Sequence, residues 1–110
     1  MTREEHLLVI AMEECAELAQ RVSKALRFGM DQVQEDANDK PEENPLRLDN
    51  RQRIEREYRD LQAAMEMIGI KVAVGSGYAR ELVEAKKRTV ERYLKRSAMC
   101  GTLVEKVDVQ

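Results

Sequence analysis

An all-α fold follows from three features of this 110-residue chain. Apolar residues recur at helical period over long stretches, the apolar composition is mostly Leu, Val, Ile, Ala and Met, and the only two prolines fall together in one polar stretch. Aromatic residues make up 4% of the chain and there is no Trp. A helical core must then be built from aliphatic side chains. The length suits a single domain spanning residues 1–110, with a lone core of only moderate stability.

Residues 4–27 carry the strongest period. Leu8, Ala11, Met12, Cys15, Leu18, Ala19, Val22, Ala25 and Leu26 repeat at three- and four-residue steps and predict one apolar stripe. Phe28-Gly29 supplies a stop, because Gly readily adopts the backbone conformations that end a helix. From about 30 to 50 the chain turns polar, with Asp31, Glu35, Asp36, Asp39, Glu42, Glu43, Pro41 and Pro45. This reads as a loop or flap with a short helical turn at its start. Asp49 or Asn50 caps a second helix over about 50–73, whose stripe is Ile54, Tyr58, Leu61, Met65 and Ile68, flanked by Ala64 and Val72. Gly75-Ser76-Gly77 breaks the chain before a third helix over about 78–97, with Leu82, Val83, Ala85, Val90, Tyr93 and Leu94. Three helices of these lengths rarely bury all their apolar surface in one chain. A bundle completed by oligomerisation is expected, as a homodimer or homotetramer.

Nineteen basic residues against 21 acidic ones leave a formal charge of −2, which advertises neither a nucleic-acid polymer nor an acidic membrane as partner. No apolar run approaches the roughly 20 residues that span a bilayer, and the helix-like sequence begins too early for a signal peptide. Cys15 and Cys100 match no metal spacing. They read as reduced thiols of a cytoplasmic protein, Cys15 as a small buried hydrophobe.

Chemistry is carried by carboxylates. Glu14 and Glu17 lie three apart on the first helix, and Glu57 and Asp60 repeat that spacing on the second, so each pair projects from one face about a turn apart. Each pair borders its apolar stripe, and antiparallel packing of the stripes brings all four to the edge of the core. Such a cluster repels itself and is partly desolvated unless a cation neutralises it. All-oxygen ligands with no His or Cys suit Mg2+, with Mn2+ as the alternative. Spacing alone is a weak signal, since Glu81/Glu84 and Asp36/Asp39 share it and read as solvated faces.

Glu13-Glu14-Cys15-Ala16-Glu17-Leu18 followed by Glu57-Tyr58-Arg59-Asp60-Leu61 resembles the paired signature of the MazG-like, all-α nucleoside triphosphate pyrophosphohydrolases, an ExxE on one helix and an ExxD on the next. Lys24, Arg27 and Phe28-Gly29 match as well. So do the third-helix run Glu84-Ala85-Lys86-Lys87-Arg88-Thr89-Val90 and the ending Ser97 to Leu103, which are similar to small phage-type members. The similarity covers most of Glu13 to Leu103 apart from the acidic loop. One departure is that Glu17 and Glu57 lie 40 positions apart (57 − 17), whereas compact members connect the two helices more tightly. The inserted loop is open to three roles: substrate lid, specificity element or oligomer contact.

The resemblance implies a MazG-like helical bundle that cleaves a nucleoside triphosphate between its α and β phosphates, releasing a monophosphate and pyrophosphate. It implies Mg2+ on Glu14, Glu17, Glu57 and Asp60, and phosphate contacts from Lys24, Arg27 and Lys86, with Lys87 as an alternate. It also implies the cytoplasm as the site of action, the host's if the chain is phage-encoded. Glu13 is the candidate to orient or deprotonate the attacking water. A non-catalytic nucleotide-sensing or partner-binding module on the same scaffold is the competing expectation.

Overall fold

The computed structural model describes residues 1–33, 41–71 and 77–104. Among them are three α-helices, α1 (Arg3–Phe28), α2 (Asn50–Ile68) and α3 (Tyr78–Met99), a 3₁₀ turn at Pro41–Glu43, and no strand. The all-α expectation holds for these residues. The chain divides into two compact units, Met1–Lys71 with α1 and α2, and Val72–Gln110 with α3. The Asp36/Asp39 pair and the Gly75-Ser76 break lie outside the described residues.

Helix α1 starts at a capping box. The Glu5 amide donates to Thr2 Oγ1 at 3.1 Å, and the Thr2 amide donates back to Glu5 Oε1 at 3.5 Å. Glu4 and Glu5 in the first turn and Arg27 in the last oppose the helix dipole. The helix ends at Gly29, whose φ of 106° suits a residue without a Cβ. A Cβ there would also lie only 3.2 Å from Gln32 Cγ.

The segment after Gly29 is stitched to the start of α2. The first helical amides of α2 have no partners within the helix. Asn50 N–H donates to the Gln32 carbonyl at 3.0 Å, and Arg51 N–H to the Met30 carbonyl at 2.8 Å. Gln52 N–H is taken by its own cap, Asp49 Oδ1, at 2.8 Å, and Asp49 N–H by Gln52 Oε1 at 3.0 Å, a second capping box. Asn50, fully buried, adds a side-chain bond from Nδ2 to the Gly29 carbonyl at 2.8 Å. This corner brings the end of α1 to the start of α2, so the two helices pack as an antiparallel hairpin.

Among the described residues, Leu7, Ala11, Ala25 and Ala64 are the buried apolar ones. On α1 the covered positions step by four and three through Leu7, Ala11, Glu14, Leu18, Arg21 and Ala25. On α2 they step through Asn50, Ile54, Glu57, Leu61, Ala64 and Ile68. Both are seams of heptad type. The covered line on α1 is therefore offset by one residue from most of the stripe expected from sequence. Leu8, Met12, Cys15, Val22 and Leu26 form a neighbouring line that is exposed. Cys15, expected to be buried, lies on that line. Its helix has two adjacent apolar lines, and α2 covers the other one.

Helix α2 stops at Ile68 rather than near 73. Gly69 takes a left-handed conformation (φ 92°, ψ 8°), and the amides of Gly69 and Ile70 close onto the Glu66 and Met65 carbonyls. The loop before α2 is braced by buried Asn44, whose Nδ2 donates to the Leu48 carbonyl at 2.9 Å while its Oδ1 accepts from Leu48 N–H at 3.0 Å. Arg47, inside that bracket, is held at φ 51°. Among the described residues of the 30–50 segment the regular turn is the 3₁₀ turn at Pro41–Glu43, and residues 34–40, where a helical turn near its start would continue, lie outside the described residues. Helix α3 buries none of its residues, and Leu82, Val83, Val90, Tyr93 and Leu94 are exposed. Thr102 and Leu103 amides close its end onto the Ser97 carbonyl.

Candidate metal centre

The hairpin places one oxygen from each of Glu14, Glu17 and Glu57 within 4.8 Å of one another. Two come from successive turns of α1 and the third from the facing turn of α2. Glu14 and Glu57 are themselves seam positions and half-buried, whereas Glu17 is exposed. One oxygen of each seam carboxylate, Glu14 Oε2 and Glu57 Oε2, is shielded from solvent without a hydrogen-bond partner. A buried acceptor left in that state costs about 1–3 kcal/mol, and more when it is charged.

The electrostatics carry the same strain. Glu14 is pushed above the ordinary carboxylate range by desolvation first, then by repulsion from Glu17, Asp60 and Glu57, and last by a hydrogen bond with Glu17 that favours its protonated form. Glu57 is pushed up by desolvation, by Glu17 and Asp60, and by its own hydrogen bond with Glu17, while Arg21 pulls it back. Arg21 occupies the seam position two turns beyond Glu14 and one turn beyond Glu17.

A hard divalent cation fits this donor set. It would relieve the repulsion, and the groups that would hold it are all carboxylates. Asp60, one turn beyond Glu57, lies outside the three converging groups. It is near enough to raise both seam carboxyls, and it is exposed, lining a cavity beside them.

The remaining sequence-chosen residues are more dispersed. Glu13 is exposed next to Glu14 and outside the converging group. Lys24 is half-buried on the last turns of α1. Arg27 is exposed, its guanidinium 5.1 Å from the centre of the Phe28 ring. Lys86 is exposed on α3, in the other compact unit. The spacing-matched Glu84 has cationic partners instead of carboxylate neighbours, Arg80 at 2.6 Å and Lys87 at 3.2 Å, and the Lys87 hydrogen bond holds its carboxyl below the usual range.

Sequence reasoning missed Arg21, Arg53 and Arg56. The available signal was register. Arg21 is in step with Leu7, Ala11, Glu14, Leu18 and Ala25, while Arg53, Arg56, Glu57 and Asp60 share one face of α2 at three- and four-residue steps.

No protein-family model, curated protein or solved structure matches the chain. Among the described residues, no helix is long and apolar enough to cross a membrane.

Proposed function

We propose that this chain is a magnesium-dependent nucleoside triphosphate pyrophosphohydrolase built on a MazG-like helical bundle, with Mn2+ as an alternative metal. The observation that carries the reading is the convergence of Glu14, Glu17 and Glu57 with two shielded, partnerless oxygens in the middle of a helix seam. A seam that needed only stability would fill those positions with Leu or Ala, since an apolar substitute is generally no worse than a buried charge.

Glu14, Glu17 and Glu57 hold the cation, and Asp60 completes the set from the next turn of α2. Bound Mg2+ supplies phosphate neutralisation, polarisation of a phosphorus–oxygen bond and a lowered pKa for bound water. Arg21 offsets the local excess of negative charge from within the seam. Glu13, exposed beside Glu14 and outside the converging group, is the carboxylate to orient the attacking water and take its proton. Water attack breaks the α–β anhydride, so the nucleoside leaves as a monophosphate and the remaining phosphates as pyrophosphate. Lys24 and Arg27, on the last turns of α1, are the further phosphate contacts in this reading, and Lys86, in the other compact unit, enters it on the sequence resemblance alone.

A pyrophosphate-release screen over canonical and modified (d)NTPs with Mg2+ tests this. Turnover of at least one nucleotide is expected, falling about 10²–10³-fold in Glu17→Gln with helicity unchanged. Metal and nucleotide binding without turnover on the whole panel would instead identify a non-catalytic nucleotide-sensing module.

A second copy of the chain is part of the proposal. The exposed line Leu8, Met12, Cys15, Val22 and Leu26 runs along most of α1, too long an apolar line to leave in water. We expect light scattering to report a dimer or tetramer, and Val22→Glu to shift it toward monomer. A monomeric parent chain at micromolar concentration would remove this part. Action in the cytoplasm, the host's for a phage-encoded chain, is the setting that goes with the proposed activity.

A further inference from the structure

Beside the carboxylates, a cavity of about 360 Å3 is lined by Glu43, Asn44, Pro45, Leu48, Arg53, Arg56, Glu57 and Asp60. Its size is at the small end of the roughly 300–1,000 Å3 typical of small-molecule sites. Only Pro45 and Leu48 offer apolar wall, so it suits a compact polar group better than a base.

The cavity has two rigid sides. On α2, Arg53 stands one turn before Glu57 and Arg56 one turn before Asp60, so the two guanidinium-bearing residues and the two carboxylates share one helix face. Arg53 is 9% exposed, and Arg56 is exposed to solvent. The opposite wall is the 43–48 segment, fixed by the double bracket from Asn44 to Leu48. The wall that frames the arginines therefore belongs to the long polar segment between α1 and α2.

The charges of the lining decide what it accepts. Two arginines face three carboxylates, Glu43, Glu57 and Asp60, so the bare cavity is net negative and repels anions. A divalent cation held there would set a doubly positive centre at the carboxylate end of the cavity, which a phosphate oxygen could ligate directly. Arginine forks then meet phosphate oxygens with charge-assisted hydrogen bonds, in the planar geometry that suits phosphate.

We infer that Arg53 and Arg56 form the subsite for the β and γ phosphates, the pyrophosphate that leaves, and that this subsite takes its anion only after the carboxylates are metal-loaded. The inference rests on the proposed metal site and adds an order of binding and two substrate-holding residues. The 43–48 segment is the fixed wall of that subsite.

Calorimetry with Mn2+ alone and then with inorganic pyrophosphate, in excess Mn2+ or in chelator, tests it on the full chain. Arg56→Ala is a surface change on a helix and should fold; circular dichroism checks it. Expected are Mn2+ affinity unchanged within two-fold in Arg56→Ala, pyrophosphate affinity about ten-fold weaker or worse, and partial recovery in Arg56→Lys. The parent chain should not bind pyrophosphate in chelator. Equal pyrophosphate affinity in parent and Arg56→Ala overturns the subsite while leaving the metal reading intact. Pyrophosphate binding in chelator that Arg56→Ala abolishes overturns the binding order but keeps the subsite. If the parent binds no Mn2+, the metal reading falls; absence of pyrophosphate binding as well overturns both.

Discussion

Replacing Glu57 with Gln is expected to stabilise the metal-free protein and to disable it. The change removes a half-buried charge that Glu14, Glu17 and Asp60 repel, so the melting temperature in chelator should rise. The same change removes a cation ligand. The stabilisation that Mg2+ gives the parent chain should therefore largely vanish, and pyrophosphate release should fall about 10²–10³-fold. Loss of a purely structural carboxylate would not produce this opposition. A melting temperature in chelator below that of the parent, or an undiminished Mg2+ shift, would sink the assignment.

The pH dependence has a definite sign. Glu14 and Glu57 are pushed above the ordinary carboxylate range in the folded chain, so the folded state binds protons more tightly than the unfolded one. Stability of the metal-free protein should fall as pH rises from the unfolded value of about 4.3 to the raised folded value, and level off above it. Exposed acids with basic partners, such as Glu84, run the other way. The signal is therefore read as the difference between the parent and Glu57→Gln, measured by thermal melts from pH 4.5 to 8 in chelator. Mg2+ must displace those protons, so its affinity should rise with pH across the same window.

How much of this was legible in sequence depended on whether the signal was local. Gly29 ending α1 and the Asp49 cap opening α2 could be read because each acts over three or four residues. The end of α2 was misplaced because apolar periodicity continues to Val72, whereas the left-handed Gly69 ends the helix first. The face of α1 was harder. Leu7 and Ala11 on one line and Leu8 and Met12 on the next give nearly the same hydrophobic pattern, and only the partner helix decides which is covered. That ambiguity hid the most informative feature of the site. Glu14 and Glu57 are in the seam itself rather than at its border, as is Arg21. Arg53 and Arg56 share the face of Glu57 and Asp60 by register, but the 43–48 wall that makes a cavity of that face is irregular chain, which no helical period encodes.

Asn50→Asp is expected to be the most damaging single-atom-scale change in the hairpin, costing about 3 kcal/mol or more in urea denaturation. Asn50 has no solvent exposure, its Nδ2 donates to the Gly29 carbonyl at 2.8 Å, and its Oδ1 has no partner. A carboxylate there turns the donor into a second acceptor facing that carbonyl and leaves a buried charge without compensation. Asn50→Ala should cost less, about 1–2 kcal/mol, because it removes the partnerless oxygen together with the donor. Equal losses in the two variants would show that the amide's chemistry is irrelevant and only its volume matters. The Asp variant should recover as pH falls, since its buried carboxyl, held above the ordinary range, can donate to Gly29 once protonated. The corner also sets how far α1 slides along α2, through the Asn50 and Arg51 amides on Gln32 and Met30. Loosening it moves Glu14 and Glu17 relative to Glu57, so Asn50→Asp should weaken Mg2+ binding at neutral pH although residue 50 lies two turns from Glu57 and touches no ligand. Mn2+ affinity unchanged in a folded Asn50→Asp protein would show that the register is held by the seam and not by the corner.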